Sequence, residues 1–307
     1  MNDLVSIIIP CFNASLYVKD AVQSVIGQTH SNWELILVDD HSTDSTFSEL
    51  EKLQLLHPSR IKVMLNPAKG AAAARNAGLA ISTGNYIQFL DADDLIISNK
   101  IEIQLQGFSP DVDVVYSDLR IDSFHENKIL EHQNFKSFGD DLFYSVFRQI
   151  LTSGNPLYRA EAVKKIGGYN PDLSAAQDWD FHIRLFLSGS TFSYIPGEFF
   201  IIRKMSDSIS SNWVKVYETA CDHLPQLKSG IRNHSLYSIK VGDYLASVYY
   251  LTLVHSKKVS NRSFYRTEMR FWAENRVSFI HSGMKRVIAK VIGLRFLELL
   301  DRIRSRN

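Results

Sequence analysis

The first half of the chain alternates short apolar runs with stretches whose apolar residues recur at helical spacing. Val5–Ile9, Leu35–Val38, Ile61–Leu65 and Tyr86–Leu90 are brief, mostly apolar runs bounded by polar or turn residues, which predicts strands. Between them, Tyr17–Ile26 places Val18, Ala21, Val22 and Val25 on one helical face. The stretch "DDHSTDST" offers capping side chains ahead of Phe47, Leu50 and Leu53, which predicts a helix start. Ala71–Ala80 and Ser98–Gly107 read as further helices, and Val112–Tyr116 as a fifth strand. Continuous apolar strands are those buried on both faces. Strand and helix in turn therefore predict right-handed βαβ units and a mostly parallel sheet flanked by helices.

From about Asp118 the alternation fades. Leu142–Leu151, Ala160–Ile166 and Gln177–Leu187 read as helical, "GGYNPDL" as a turn, and Phe192–Ile195 and Phe199–Ile202 as short strands. Beyond Ser211 the pattern is almost entirely helical. The expected organisation is an α/β domain over 1–210 and a helical region over 211–307.

Composition narrows the classes. Apolar residues make up 45% of the 307 and charged residues 22%, enough for a packed core. A formal net charge of +1 argues against a globally basic nucleic-acid binder. The two cysteines, Cys11 and Cys221, form neither a disulfide framework nor a zinc pattern, which suits a reducing cytosol. The opening "MNDLVSIIIPCFN" lacks a basic region and a cleavage site, and no window reaches ~18 uninterrupted apolar residues. A cytoplasmic location is expected.

Candidate chemistry gathers where strands end. Ligands of open α/β sheets lie beyond the carboxyl ends of the strands. Pro10–Asn13, Asp39–Asp40 and Asp91–Asp94 follow the first, second and fourth predicted strands, so they should converge on one crevice. Asp91 and Asp93 alternate along an extended segment and can face one hard divalent cation; a solvated turn that caps a helix is the plainer reading. Asp39 or Asp40 suits a base N–H or a ribose hydroxyl, with helix capping as the alternative. Arg75 suits a phosphate or carboxylate, or is an ordinary helix arginine. Asp178 and Asp180 flank Trp179 at a predicted helix start, where a carboxylate serves either as a general base or as a dipole partner. His182, one turn on, reads as structural.

Three segments in this order carry a family resemblance: "SIIIPCFNASLYVKDAVQSVIGQTHSNWELILVDDHSTDST", "GAAAARNAGLAISTGNYIQFLDADD" and "KIGGYNPDLSAAQDWDFHIRL". Over roughly 4–211 the chain closely resembles the family 2 inverting glycosyltransferases, whose GT-A fold is a Rossmann-like sheet. The resemblance implies transfer of a sugar from a nucleoside-diphosphate donor, most simply a UDP-sugar with GDP and dTDP open, to an acceptor hydroxyl. The setting it implies is surface polysaccharide or glycolipid synthesis, with a saccharide or lipid-linked acceptor. By position, Pro10 and Asn13 match the start that shapes the nucleotide pocket. Asp39, with Asp40 beside it, matches the base-binding aspartate, and Arg75 matches an arginine near the nucleotide. Asp91 and Asp93 match the pair that holds Mn²⁺ or Mg²⁺ on the diphosphate, and Asp178 matches the general base. Arg203, Lys204 and Trp179 fall in the diphosphate and acceptor region.

Two positions depart from that pattern. Gln177 stands where the family usually has Glu, and Lys204–Met205 where a His is common. Gln177 also makes a weakly catalytic nucleotide-sugar-binding or scaffold module the competing reading. A nucleotidyltransferase would need a glycine-rich, basic loop after the first strand, which "PCFNASLYV" is not. Over 284–306, Met284, Val287, Ile288 and Val291 share one helical face and Phe296, Leu299, Leu300 and Ile303 another. That stretch either packs on the domain or docks on the inner face of the plasma membrane.

Overall fold

A computed structural model describes residues 3–126, 128–135, 151–204, 213–235, 237–256 and 261–272. The alternation seen in the sequence is present in β1 (Val5–Cys11), α1 (Val18–Ile26), β2 (Trp33–Asp39), α2 (Thr46–Leu56), β3 (Ile61–Leu65), α3 (Ala71–Ile81) and β4 (Tyr86–Phe89). These four strands pair in parallel in the order β3-β2-β1-β4. The register sets Cys11 opposite Asp39 and Ile8 opposite Phe89, so the polar clusters leave the sheet side by side.

Beyond β4 the chain becomes mixed. It runs through β5 (Leu95–Ile96), α4 (Lys100–Gln106), β6 (Val114–Ser123), β7 (Lys128–Gln133), β8 (Leu157–Arg159), α5 (Ala160–Lys165), α6 (Gln177–Leu187) and β9 (Phe192–Lys204). The strand β8 is antiparallel to both β4 and β6, β6 and β9 pair in parallel, and β7 adds to β6 as a hairpin. Most of the paired length in the sheet is parallel. The two short strands expected at 192–195 and 199–202 are one strand. Gly197, at φ +128°, lets it shift register against Asp118 without ending. The predicted helix over 142–151 lies, but for Leu151, outside the described residues, as does the stretch 284–306.

Both faces of the central strands are buried. Ile7, Ile9, Leu35 and Leu37 enter one core, and Ile8, Ile36, Val38, Ile87 and Phe89 the other. Each such side chain stabilises the fold by about 1.5–3 kcal/mol. On the second face α3 packs so close to β1 that a Cβ at Gly78 would stand 2.5 Å from Ile8 Cγ2. That core also holds an aromatic cluster under α6, in which Tyr169 stacks on Phe181 at 4.2 Å and meets Phe89 edge-on at 5.1 Å.

Three helices follow: α7 (Trp213–Asn233), α8 (Ile239–His255) and α9 (Arg262–Trp272). The first of them, α7, joins α6 through Asp180, which is fully buried. Asp180 accepts from His223 Nε2 (2.7 Å) on α7 and from Arg184 Nε (2.8 Å) on its own helix. Burial alone would raise that carboxyl, but His223 and Arg184 hold it below its ordinary value. No helix among the described residues is long and apolar enough to cross a membrane.

Candidate active site

The loop after β1 is tied to the loop after β2. Ser42 Oγ accepts from Asn13 N (3.0 Å), Asn13 Oδ1 from Thr43 N (2.8 Å), and Thr46 Oγ1 from Ala14 N (2.6 Å). Asn13 and His41 both adopt left-handed backbone, at φ +48° and +62°. Non-glycine residues are held there when surrounding bonds over-determine the turn, and such turns concentrate at functional sites. Asn13 thus shapes the loop through its side-chain amide. Pro10 lies just before the turn, half-buried in β1 opposite Val38.

The two aspartates behind this loop differ. Asp40 is committed: its Oδ1 accepts from Asn66 Nδ2 (2.7 Å) and from Gly70 N (2.9 Å), fastening the loop before α3. Asp39 is 2% exposed; its Oδ2 accepts from Ser42 N (3.1 Å), while its Oδ1 is buried without a partner among the described residues. A buried carboxylate oxygen left unsatisfied is costly, so this atom invites an N–H or O–H donor from a ligand.

Arg75, on the buried side of α3, links the remaining motifs. Its guanidinium donates to Asp91 Oδ1 (2.6 Å) and to Gln177 Oε1 (3.1 Å), and lies 5.0 Å from the centre of the Tyr169 ring. Burial opposes its charge, but Asp91, Tyr169 and Asp178 outweigh that and raise its pKa further. The aspartate cluster and the start of α6 therefore meet across one arginine. Asn76 secures the same place, with Nδ2 donating to Tyr169 O and Oδ1 accepting from Tyr169 N, both at 2.8 Å.

Asp91, Asp93 and Asp94 bring one carboxylate oxygen each within 4.8 Å of the others. Burial first, and the charge of Asp91 second, raise Asp93 to about 6. Asp94 is raised by burial and by both neighbours. Asp94 does not cap a helix: α4 begins at Lys100 behind Asn99, and Asp94 Oδ1 instead accepts from Arg203 N (3.0 Å). Arg203 also donates to Asp93 O, Tyr17 O and Asp20 Oδ2 (2.8 Å), clamping this turn onto α1. Lys204 is exposed at the end of β9.

Asp178 lies in the first turn of α6, where the helix dipole favours a carboxylate. The residue before the helix, Ala176, has φ +55°. Ser153 holds Asp178 from below: its Oγ donates to Asp178 Oδ1, and its N–H to Oδ2 (3.3 Å). Trp179 is 2% exposed and packs in the main core. His182 is buried, bonded to Tyr158 Oη (2.8 Å), and held neutral by burial with a pKa of about 3. Sequence reasoning brought forward Arg75, Asp91, Asp93 and Asp178 but missed Ser153, Asn76 and Tyr169. The Asn of "ARN" and the aromatic of "GGY" were visible signals; Ser153 carried none.

The mixed sheet, with carboxylates at its strand ends, defines a GT-A type α/β protein. The match to the model of glycosyl transferase family 2 spans residues 6–167, more than half the chain, and the chain belongs to that family. Among curated relatives, it is 48% identical over 108 residues to the Escherichia coli UDP-Glc:alpha-D-GlcNAc-diphosphoundecaprenol beta-1,3-glucosyltransferase WfgD. It is 44% identical over 103 residues to the Bacillus subtilis putative teichuronic acid biosynthesis glycosyltransferase TuaG. Each match covers 34% of this chain and 41% of the relative, so the chain matches under half the length of these proteins. Among solved structures, S. aureus TarS 1-349 in complex with UDP-GlcNAc superposes with a TM-score of 0.65 at 17% identity, covering 87% of this chain and 80% of that one. The mannosyltransferase PcManGT from Pyrobaculum calidifontis, in complex with GDP-Man and Mn2+, superposes at 0.60 and 16% identity, covering 88% and 83%.

Proposed function

We propose that this chain is an inverting glycosyltransferase that moves a sugar from a nucleoside diphosphate, most simply UDP, to an acceptor hydroxyl. One observation carries the reading. Asp39 Oδ1, buried and without a partner among the described residues, a cluster of three carboxylates and the Asp178 carboxylate stand at the ends of neighbouring elements, and Arg75 ties Asp91 of the cluster to Gln177, the residue before Asp178. Asp39 Oδ1 suits an imide N–H of a pyrimidine base.

The carboxylate cluster fits a hard divalent cation such as Mn²⁺ or Mg²⁺, whose preferred donors are carboxylate oxygens and phosphates. Asp93 and Asp91 would hold it, and when bound it neutralises charge on the departing diphosphate. Asp178 takes the proton from the acceptor hydroxyl. The acceptor oxygen then bonds to the anomeric carbon from the face opposite the diphosphate, the bond from that carbon to the diphosphate oxygen breaks, and the configuration inverts. Base catalysis of this kind contributes about 10²–10⁴-fold. Arg203, engaged with the Asp93 turn, and Lys204, exposed at the end of β9, are the cations assigned to the diphosphate region in this reading.

Residues 1–210 form the catalytic part in this reading and 211–307 an appendage, of which α7 is bonded to the catalytic part through Asp180 and His223. The names of WfgD and TuaG support an acceptor that is lipid-linked or a saccharide, in polysaccharide or glycolipid synthesis; a location at the cytoplasmic face of the membrane is part of the same proposal. Neither a nucleic-acid partner nor a membrane span is part of the proposal.

The test is release of nucleoside diphosphate from UDP-glucose, UDP-GlcNAc and GDP-mannose with Mn²⁺. Wild type should turn over at least one donor, and Asp178→Asn should lose about 10²-fold or more in turnover while still binding it. Near-normal turnover by that variant removes Asp178 as base. Donor binding by wild type without turnover, across the panel and with saccharide and lipid-linked acceptors, favours the scaffold reading.

A further inference from the structure

Residues 151–158 run beneath Asp178 with nearly every side chain buried, although only Leu157 and Tyr158 belong to a strand. A buried segment without regular structure must find partners for its peptide groups elsewhere. Here they come from a polar cluster inside the core. Lys100 Nζ donates to Gln88 Oε1 and to Gln104 Oε1 (2.7 Å). Gln88 Nε2 donates to Gly154 O (2.8 Å), and Gln104 Nε2 donates to Asn155 O (3.0 Å). Asn155 completes the cluster by exchanging bonds with Ser117: Ser117 N donates to Asn155 Oδ1 (3.0 Å), and Asn155 Nδ2 to Ser117 O (2.7 Å).

Lys100, Gln88, Gln104 and Asn155 are all fully buried. The partners of the Lys100 ammonium are neutral amides, and burial pushes its pKa well below the ordinary value. An ammonium placed in a core without a counter-charge costs stability. An apolar side chain of that length would pack there more cheaply, so the cluster is a poor device for stability alone. Its two amide arms grip the carbonyls of consecutive residues, Gly154 and Asn155. The chain there presses against Phe200, whose Cζ would stand 2.4 Å from a Cβ at Gly154. The next residue back is Ser153, which donates to both oxygens of Asp178.

We infer that Lys100 is a positioning residue: through Gln88 and Gln104 it fixes the 153–155 segment so that Ser153 holds Asp178 aimed for proton transfer. This rests on the reading of Asp178 as the base. Lys100 touches neither substrate nor reacting atoms. Its effect therefore belongs to kcat and disappears when the base is absent.

The experiment is a double-mutant cycle on the whole chain with Lys100→Met, Asp178→Asn and both, using whichever of UDP-glucose, UDP-GlcNAc or GDP-mannose the wild type turns over. Lys100→Met should lower kcat by about 10²-fold while KM for the donor stays within about twofold, as expected for a displaced catalytic group. In the Asp178→Asn background it should change the residual kcat by less than about twofold, because both substitutions remove one function. Wild-type-like kcat in Lys100→Met, or the same fold-loss in both backgrounds, overturns the inference. Normal turnover by Asp178→Asn instead overturns the base assignment on which it rests. If Lys100→Met melts without a cooperative transition, Gln104→Met, which leaves the Lys100–Gln88 bond in place, is judged by the same two criteria.

Discussion

The Asp91–Asp94 turn should make the cation-free protein less stable than it need be, and Asp93→Asn should show it. Asp93 ordinarily titrates near 3.8 and is raised to about 6 by burial and by Asp91. Between those values the folded chain holds a proton that the unfolded chain has lost. Stability therefore falls as pH rises through that window, and the whole penalty is present above about 6. Two pKa units correspond to ~3 kcal/mol, an upper figure because Asp91 and Asp94 share the repulsion. Asp93→Asn keeps the shape and removes the charge. At pH 7.5 without divalent cations it should be more stable by about 1–2 kcal/mol, a rise in Tm of about 1.5–3 °C. At pH 4 the gap should close. With Mn²⁺ the order should reverse, since ligand binding to the native state stabilises wild type and the variant has lost a ligand. Thermal unfolding at both pH values, with EDTA or Mn²⁺, decides this. A variant no more stable than wild type at pH 7.5 in EDTA refutes the electrostatic account; a variant raised by Mn²⁺ as much as wild type refutes Asp93 as a ligand of the cation.

Other consequences follow from single groups. His182, neutral in the fold with a pKa of about 3 against an ordinary 6.5, gives stability that is present above pH 6.5 and lost as pH falls toward 3. That amounts to about 2 kcal/mol between pH 6.5 and 5, and His182→Gln should flatten this slope in urea titrations. Ala176 holds left-handed backbone before α6, so Ala176→Gly should stabilise by up to ~1 kcal/mol after loss of the methyl group. A lower Tm would show that the methyl contact dominates. His223→Ala removes one of two partners from buried Asp180 and should cost about 2 kcal/mol in urea unfolding; an unchanged midpoint would leave α7 without its proposed anchor.

Much of the architecture was legible because it is periodic. The βαβ units through β4 follow from apolar runs that must be buried on both faces; strand-end logic brought Asp39 and Asp91 forward before any geometry, and a predicted helix start brought Asp178. What escaped was the part whose partners are distant in sequence. The antiparallel insertion of β8 between β4 and β6, and the hairpin β7, break the alternation that made the first half readable. Arg75 was legible as a residue but not as a bridge, because Gln177 is 102 positions away.

The network under Asp178 left one trace in the sequence. Gln88 interrupts the run "YIQFL" in a strand whose every residue is buried. A primary amide cannot sit inside such a strand unless its N–H and C=O groups are met. That requirement implies a donor and an acceptor from other elements before either is identified. Lys100 is the donor and the carbonyl of Gly154 an acceptor. A polar residue inside an apolar run is therefore a statement about two other places in the chain, and in this fold one of those places lies next to Ser153, which holds Asp178.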